Sequence, residues 1–256
     1  MDQVLLDKVM ERVASEMKVP GGCCKMGDIG VSEFVGTTIG NTIGLVIASI
    51  DPSLTDVMNC GRFRSIGILG GRTGLGPQAM AMDDAIKATN TEIISIEQTK
   101  DDTSQGQGSL ILIGAEDVSD VRRAIEIALA NVEKYFGDIY ENAAGHLEFQ
   151  YTARASYCLE KGFGTPFGKA FGLVCGAPAA IGVVLSDTAM KAANVDVVSY
   201  TSPAGGEGFS YQNEVTLTIT GDSGAVRQAV RASIEVGKKI LGAFGEEPKS
   251  CATPYI

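Results

Sequence analysis

The side chains best suited to nucleophilic or metal chemistry in this 256-residue sequence are one histidine and six cysteines. Nucleophilic catalysis requires a serine or cysteine activated by a neighbouring base, and His146 has no serine- or cysteine-centred signature around it. The cysteines form no C-x-x-C pair, so their spacing gives little support to a zinc or iron–sulfur site. The sequence therefore predicts no catalytic residue, no bound metal and no cofactor.

Two adjacent cysteines, Cys23 and Cys24, follow a Pro-Gly-Gly segment. Two roles remain open for them: plain exposed thiols, or a metal or disulfide site formed where symmetry-related copies meet at an axis. We favour exposed thiols.

A glycine-rich segment at 69–77 (LGGRTGLGP) follows a predicted strand and opens a helix, which is where backbone N–H groups can hold a phosphate. It has neither the Lys-Ser or Lys-Thr pair of a P-loop nor the spacing G-x-G-x-x-G. The equivalent segment at 175–180 has lost most of the glycines. We interpret the segment as a flexible connector close to a symmetry axis or a small ligand.

The charge balance excludes several classes of partner. With 21 basic and 31 acidic residues, the chain carries a net charge of −10, whereas nucleic acids and anionic membrane surfaces attract clustered Lys and Arg. The most apolar run, at 43–50, has the length of a buried strand rather than of a membrane span. The N-terminal residues have no signal-peptide pattern. We expect no nucleic acid, no membrane and a cytoplasmic location with reduced cysteines.

A repeat organises the chain. The sequence DDAIKATNTEIIS at 83–95 returns as DTAMKAANVDVVS at 187–199, and residues 110–124 align with 215–229. The repeat predicts two related domains, 33–145 and 147–245, with an N-terminal extension at 1–32 and a tail at 246–256. A lysine late in a helix is often only solvated. Its duplication in Lys-Ala-x-Asn nevertheless indicates one surface role performed twice.

Hydrophobic periodicity predicts an α+β fold, with helices packed on an antiparallel sheet in each domain. In the first domain we predict a short helix or turn at 51–58, helices at 78–89 and 118–136 (capped by Asp117), and strands at 42–50, 63–69, 91–96 and 109–113. In the second we predict helices at 187–193 and after Asp222, and strands at 149–155, 170–174, 181–185, 196–200 and 214–220. Residues 1–18 form either a frayed amphipathic helix or one that docks on a partner. The tail is predicted to be an extended arm.

The second repeat resembles the bacterial microcompartment shell domain. Members of that family carry Lys-Ala-Ala-Asn-Val and, one strand pair later, Gly-Asp-x-Gly-Ala-Val, which here occupy 191–195 and 221–226. The first repeat keeps KATNT at 87–91 but has diverged in the second motif. Nearly the whole chain is similar to the tandem-domain shell proteins of propanediol-utilisation compartments, through EFVGTT at 33–38, RSIGILG at 64–70, QYTARASY at 150–157 and GDSGAVRQAV at 221–230.

This resemblance implies two tandem, ferredoxin-like, circularly permuted shell domains per chain. It implies a homotrimer that acts as a pseudo-hexagonal tile, packs with other shell proteins and encloses enzymes that make a reactive aldehyde. The tile-edge contacts would involve Lys87, Asn90, Lys191 and Asn194. The protein is then structural and not an enzyme. The alternatives are a phosphate- or nucleotide-binding enzyme, or a ligand-sensing module, on duplicated ferredoxin-like domains.

The resemblance also implies sites for small molecules. In single-domain relatives, the loop between the two strands before the Gly-Asp-x-Gly helix lines the pore, and here those loops are 97–108 and 201–213. The candidate pore residues are Ser104, Gln105, Gly106, Gln107, Gly108, Ser202, Pro203, Ala204, Gly205, Gly206 and Glu207. Tandem relatives have ligand-sized subchannels, which suggests a polyol such as propanediol or glycerol near Gly71, Arg72, Thr73 and Gly74. Residues 1–18 are the candidate contact with encapsulated enzymes.

Overall fold

The computed structural model describes residues 32–99, 108–203 and 213–256. Over these residues the chain forms two antiparallel sheets, one in each half, with helices packed on them. The α+β class and the antiparallel pairing predicted from the sequence are confirmed. Within the same ranges, no helix is long and apolar enough to cross a lipid bilayer. The predicted helix at 1–18 and the pair Cys23 and Cys24 lie outside the described residues.

The described part of the first half forms a five-stranded sheet and three helices. Its strands pair in the order β1-β2-β3-β5-β4, and every neighbouring pair is antiparallel. The strands are β1 (Ser32–Thr38), β2 (Thr42–Ile47), β3 (Ser65–Gly71), β4 (Glu92–Thr99) and β5 (Gly108–Ala115). The helices are α1 (Pro52–Thr55), α2 (Gly76–Ala88) and α3 (Val118–Tyr135).

The second half repeats this arrangement after a 3-10 turn at Phe136–Asp138. Its strands are β6 (Ile139–Asn142), β7 (Gly145–Thr152), β8 (Ala170–Ala177), β9 (Val195–Thr201), β10 (Val215–Gly221) and β11 (Lys249–Ser250). Its helices are α4 (Tyr157–Phe163), α5 (Ala179–Ala192) and α6 (Ser223–Gly242). The sheet order is β11-β6-β7-β8-β10-β9, so β6 to β10 take the places of β1 to β5.

The two long helices, α3 and α6, begin at aspartate N-caps. Asp117 Oδ1 accepts a hydrogen bond from the Ser119 amide at 2.9 Å, and Asp222 Oδ1 accepts one from the Gly224 amide at 3.0 Å. Each cap satisfies an N–H group that has no partner inside its helix. Apolar residues at helical spacing then face the sheet, and in α3 these include the fully buried Val121, Ile125 and Val132. The predicted cap at Asp117 is confirmed.

One strand predicted in the second half is wrong, because residues 181–185 (IGVVL) lie inside α5. Ile181 and Leu185, one turn apart, are buried, whereas Val183 and Val184 between them are 50% and 43% exposed. Periodicity cannot distinguish a helix from a buried strand in so short an apolar run. The helix predicted at 187–193 is therefore the second part of a helix that begins at Ala179.

Pairing between strands supplies further elements that the sequence analysis did not identify. Strands β1 and β6 pair with β2 and β7, and β11, within the predicted extended arm, pairs with β6. The repeat alignment is also shifted by one residue in β10. Glu92 pairs with Gly114, whereas the equivalent Asp196 pairs with Thr220, one residue beyond the position aligned with Gly114.

The tail returns to the body of the second half. The Tyr255 and Ile256 amides donate to Asp138 Oδ2 at 2.9 and 3.1 Å. The Tyr255 hydroxyl donates to Gln150 Oε1 at 2.8 Å, and Arg231 Nε donates to the Ile256 carbonyl oxygen at 2.8 Å. These bonds tie the tail to β7, α6 and the turn before β6.

A single hydrophobic cluster joins the two halves. Ala79 and Met80 of α2 belong to the same buried cluster as Cys158 and Leu159 of α4. The cluster continues into β8 through Phe171, Leu173 and Cys175. Burial of continuous apolar surface is the main favourable contribution to folding, so the halves stabilise each other.

Candidate functional site

The junction between the halves contains the first of the two repeated lysines. On α2, the Asp83 carboxylate is only 1% exposed, and its Oδ1 accepts hydrogen bonds from the backbone amide (2.9 Å) and the hydroxyl of Ser156 in the second half. Its Oδ2 accepts from Lys87 Nζ at 2.5 Å, and the same ammonium donates to the Arg154 carbonyl oxygen at 2.9 Å. Lys87 thus supports a buried carboxylate and crosses the junction.

The second repeated lysine has a different environment. Lys191 Nζ donates to Asp187 Oδ2 at 2.7 Å, one turn away on α5, and its side chain is 75% exposed against 39% for Lys87. Asn90 and Asn194, the other predicted tile-edge residues, are both exposed. The lysine of the motif is therefore partly covered in the first half and largely open in the second, whereas the asparagine is exposed in both.

Three of the predicted pore residues lie within the described ranges: Gly108, Ser202 and Pro203. Gly108 is the first residue of β5 and is buried, and a Cβ there would lie 2.4 Å from Thr99 Oγ1 and 2.5 Å from the Gly71 carbonyl oxygen. Ser202 and Pro203 follow β9 and are half-buried. The remaining candidates, Ser104, Gln105, Gly106, Gln107, Ala204, Gly205, Gly206 and Glu207, lie outside the described residues.

The predicted ligand segment, Gly71 to Gly74, folds over the first turn of α2. The Arg72 and Thr73 amides donate to the Gly40 carbonyl oxygen at 3.1 and 3.2 Å. The side-chain nitrogen of Gln78, Nε2, donates to the Thr73 carbonyl oxygen and to Thr42 Oγ1, both at 2.9 Å. These bonds make the segment an ordered turn.

Two buried polar atoms beside Gly71 have no hydrogen-bond partner within the described ranges: Gln78 Oε1 and Ser109 Oγ. A Cβ on Gly71 would lie 2.5 Å from Gln78 Nε2 and 3.1 Å from Ser109 Oγ, so this glycine packs closely against both side chains. A buried polar atom without a partner costs free energy, and a small hydroxyl compound or a water would satisfy both atoms.

The glycine-rich turn does not present a free anion site. The Gly76 amide, at the N-terminus of α2, donates to Glu148 Oε1 of β7 at 2.6 Å. A buried carboxylate already occupies the position in which a phosphate would accept from the helix N-terminus, and it would repel a second anion. The phosphate- or nucleotide-binding alternative is therefore not supported.

The sequence analysis did not identify the polar face of β7. Along this strand, His146, Glu148 and Gln150 alternate with Leu147 and Phe149, and all five are buried. Alternation places the three polar residues on one face of the sheet and the two apolar residues in the core of the second half. The first residue of α2 lies against Glu148 and Gln150 on the polar face. The pattern His-Leu-Glu-Phe-Gln was the available signal, but alternation alone does not distinguish a buried polar face from a solvent-exposed one.

A buried histidine–carboxylate pair lies on the same face. His146 Nε2 and Glu214 Oε2 are 2.8 Å apart, each side chain is 3% exposed, and Gln98 Nε2 of β4 donates to Glu214 Oε1 at 3.2 Å. Burial and the nearby Glu214 raise the pKa of Glu148 to about 7. Burial also raises the pKa of the Cys175 thiol, and Glu214 and Glu148 add to this effect.

Comparisons with known proteins agree over both halves. The BMC domain family model matches residues 65–143 and 170–246, more than half of the chain. The chain is 58% identical over 228 residues to the bacterial microcompartment shell protein PduB of Citrobacter freundii, covering 88% of this chain and 84% of that relative. The crystal structure of a trimeric bacterial microcompartment shell protein PduB has 52% identity and a TM-score of 0.83, covering 88% of this chain and 99% of that one. For EtuB from Clostridium kluyveri the values are 48% and 0.84, covering 88% and 98%.

The two lysines provide a matched test of the junction. Lys87→Ala removes a counter-charge from a buried carboxylate and the bond to the Arg154 carbonyl, so the Ser156 amide should exchange roughly 10- to 100-fold faster with solvent. Hydrogen–deuterium exchange of peptides covering 150–160 measures this effect. Lys191→Ala is the control and should leave those peptides unchanged. Equal exchange in the two variants would contradict the assignment.

Proposed function

This chain belongs to the BMC domain family and is a structural protein of a bacterial microcompartment shell, and we propose that three copies close into a ring of six such domains. Its relatives are shell proteins, and the chain is likewise not an enzyme. We assign its domains to 33–145 and 147–245, with an extension at 1–32 and a tail at 246–256. The packing of one half on the other supports the ring.

The observation that carries this proposal is a difference in exposure between equivalent helices. Ala79 and Met80 of α2 are each 1% exposed because the second half covers them. Val183 and Val184 occupy the equivalent positions of α5, and they are 50% and 43% exposed. An apolar helix face that is covered in one repeat and open in the other indicates a missing neighbour.

The first half offers the matching surface. Leu159 of α4 is fully buried with α2, whereas the equivalent Leu54 of α1 is 45% exposed. We place a second copy so that its α1 packs on α5 in the way that α4 packs on α2 within one chain. Leu54 of the second copy would then contact Val183 and Val184. This contact is heterologous, and such contacts close into a ring when the rotation between copies fits. A pseudo-sixfold step between domains closes after three chains.

The edge strands β4 and β9 show the same difference in exposure between the two halves. Ile96 of β4 packs against Gly162, where a Cβ would lie 2.5 Å from Ile96 Cδ1. The equivalent residues, Tyr200 and Val57, are 49% and 78% exposed in a single chain. In the proposed ring they would meet between neighbouring copies.

The same placement of a second copy gives Lys191 a partner. Ser49 occupies the place of Arg154, so Lys191 would donate to the Ser49 carbonyl oxygen of the next copy. The exposed Asn90 and Asn194 would then lie on the rim beside these seams. We also propose Lys87, Asn90, Lys191 and Asn194 as contacts with other shell tiles, through the exposed parts of their side chains. Repeated weak contacts of this kind gain strength through multivalency.

A charge placed on the open face of α5 tests the ring. Val184→Asp would bury an unpaired carboxylate in the proposed seam, so the variant should be monomeric by size-exclusion chromatography with light scattering, whereas the unmodified chain is trimeric. The control is Val118→Asp, since Val118 is 37% exposed and its equivalent in the second half is the polar Ser223. A Val184→Asp protein that remains trimeric would overturn the seam.

We further propose that a small polyol such as propanediol or glycerol binds beside Gly71, Arg72, Thr73 and Gly74 on its way through the shell. The support is the pair of buried polar atoms without a described partner, Gln78 Oε1 and Ser109 Oγ, because adjacent hydroxyl groups can donate to one and bond with the other. The loops at 97–108 and 201–213 remain the proposed lining of the central pore.

Two neighbouring glycines separate a ligand effect from a folding effect. Gly71→Ala would bring a methyl group within 2.5 Å of Gln78 Nε2, whereas the nearest atoms to a Cβ on Gly70 are 3.8 Å away. Saturation-transfer NMR with propanediol and glycerol should show binding to the unmodified protein and to Gly70→Ala. The signal should fall at least about tenfold in Gly71→Ala, since the added methyl group would displace the Gln78 side chain from the proposed site. Equal signals in the two variants would rule out this location.

The N-terminal segment 1–18 is our proposed contact with the enclosed enzymes. Its apolar residues recur at i,i+4 spacing, which would form one stripe on a helix. Deleting 1–18 should leave the trimer intact and reduce co-purification of the enzymes with isolated shells several-fold. Unchanged enzyme content would contradict this role.

A further inference from the structure

We propose that His146, Cys175 and Glu214 bind one divalent transition-metal ion of the zinc class at the junction between the two halves. The sequence analysis predicted no metal because these residues lie far apart along the chain and form no spaced motif. The sheet brings them together. A candidate ligand atom from each of the three buried side chains lies within 4.8 Å of the other two.

The ligands lie on β7 and β8 and, for Glu214, immediately before β10. Strand β8 lies between β7 and β10, and Glu148 of β7, Cys175 of β8 and Thr216 of β10 are direct neighbours in the register. His146 and Glu214 each precede one of these residues by two positions, and therefore project from the same face. A site built on strands of one sheet is rigid, which favours a defined coordination geometry.

The distance between His146 and Glu214 suits a tetrahedral ion after a small adjustment. With bonds of about 2.0–2.3 Å, the ligand atoms of a tetrahedral zinc site lie roughly 3.3–3.6 Å apart. His146 Nε2 and Glu214 Oε2 are 2.8 Å apart and share a hydrogen bond. An ion would replace that proton and widen the separation by about half an ångström.

The chemistry of the donors also fits. Imidazole, thiolate and carboxylate together are ligands of zinc-class ions rather than of magnesium or calcium, which prefer oxygen. A neutral imidazole, a thiolate, a carboxylate and a divalent ion sum to zero charge, which is the least costly state for a buried group. Among the described residues, no lysine or arginine lines the adjacent cavity to supply that positive charge.

The cavity has room for one further ligand. It measures about 10 Å³, close to the space of one water, and is lined by Leu75, Gln98, Glu148, Leu173, Cys175, Glu214 and Thr216. The Gly76 amide donates to Glu148 Oε1, which fixes this carboxylate at the wall of the cavity, where it would orient a metal-bound water. An organic ligand is too large for this space, so the site differs from the proposed polyol site beside Gly71.

The repeat predicts how many metal ions one chain binds. The positions equivalent to His146, Cys175 and Glu214 in the first half hold Asn41, Gly70 and Gly108, which offer no comparable set of ligands. One ion per chain is therefore expected. It would tie β7, β8 and β10 together directly beneath α2 and β4 of the first half, and so brace the junction.

Metal binding by the full chain tests the proposal. Cys23 and Cys24 are first replaced by serine so that they cannot contribute a thiolate. After chelator treatment, titration with Co²⁺ without oxygen should give one ion per chain and a thiolate-to-cobalt charge-transfer band, and Zn²⁺ should displace it. Cys175→Ala should lose the band, whereas Cys158→Ala, which removes another buried thiol, should keep it.

A second measurement tests the proposal without a variant of the ligand residues, in case such a variant fails to fold. In zinc-soaked crystals of the otherwise unmodified protein, an anomalous-scattering peak should lie about 2.3 Å from Cys175 Sγ and about 2.1 Å from His146 Nε2. Any of three results would overturn the proposal: no bound metal after remetallation, a band that persists in Cys175→Ala, or an anomalous peak only at other residues.

Discussion

The packing of α2 against the second half is the contact on which the rest of the structure depends. Its apolar face completes a core shared with α4 and β8, its Asp83 accepts from Ser156, and its N-terminal amide donates to Glu148. A buried carboxylate is tolerated only when it is paired and hydrogen-bonded, so each of these polar contacts requires the other half to be in place. The two halves therefore form one cooperative unit.

The same contact explains why two similar domains behave differently. Among the described residues of one chain, α4 covers the outer face of α2, whereas the equivalent face of α5 is open. The lysine of Lys-Ala-x-Asn is accordingly 39% exposed in the first copy and 75% exposed in the second. A repeat that satisfies one helix and leaves its equivalent exposed builds association into the fold. In the ring that we propose, the exposed Val183 and Val184 are a surface for assembly rather than a defect in packing.

The junction also concentrates buried polar groups. Glu148 and Gln150 of β7 face the first half, and Gln150 Nε2 donates to the Tyr135 carbonyl oxygen at 3.1 Å while its Oε1 accepts from Tyr255. Partnered polar groups in a buried interface favour one alignment, because a shifted alignment would leave several of them without partners. The apolar cluster supplies stability, and the polar layer defines how the halves meet.

The sequence by itself determined the features that depend on local patterns and on the repeat: the α+β class, the two-fold repetition, the long helices and the Asp117 cap. It could not determine whether residues 181–185 form a strand or part of a helix, since so short an apolar run fits both periods. Only the buried or exposed state of each residue in the structure distinguishes them. It could not bring His146, Cys175 and Glu214 together, because the strand order β7-β8-β10 and the one-residue shift of β10 are properties of the sheet. Nor could it show that Lys87 and Lys191 differ. That difference comes from which helix the same chain covers, and only the tertiary structure decides it.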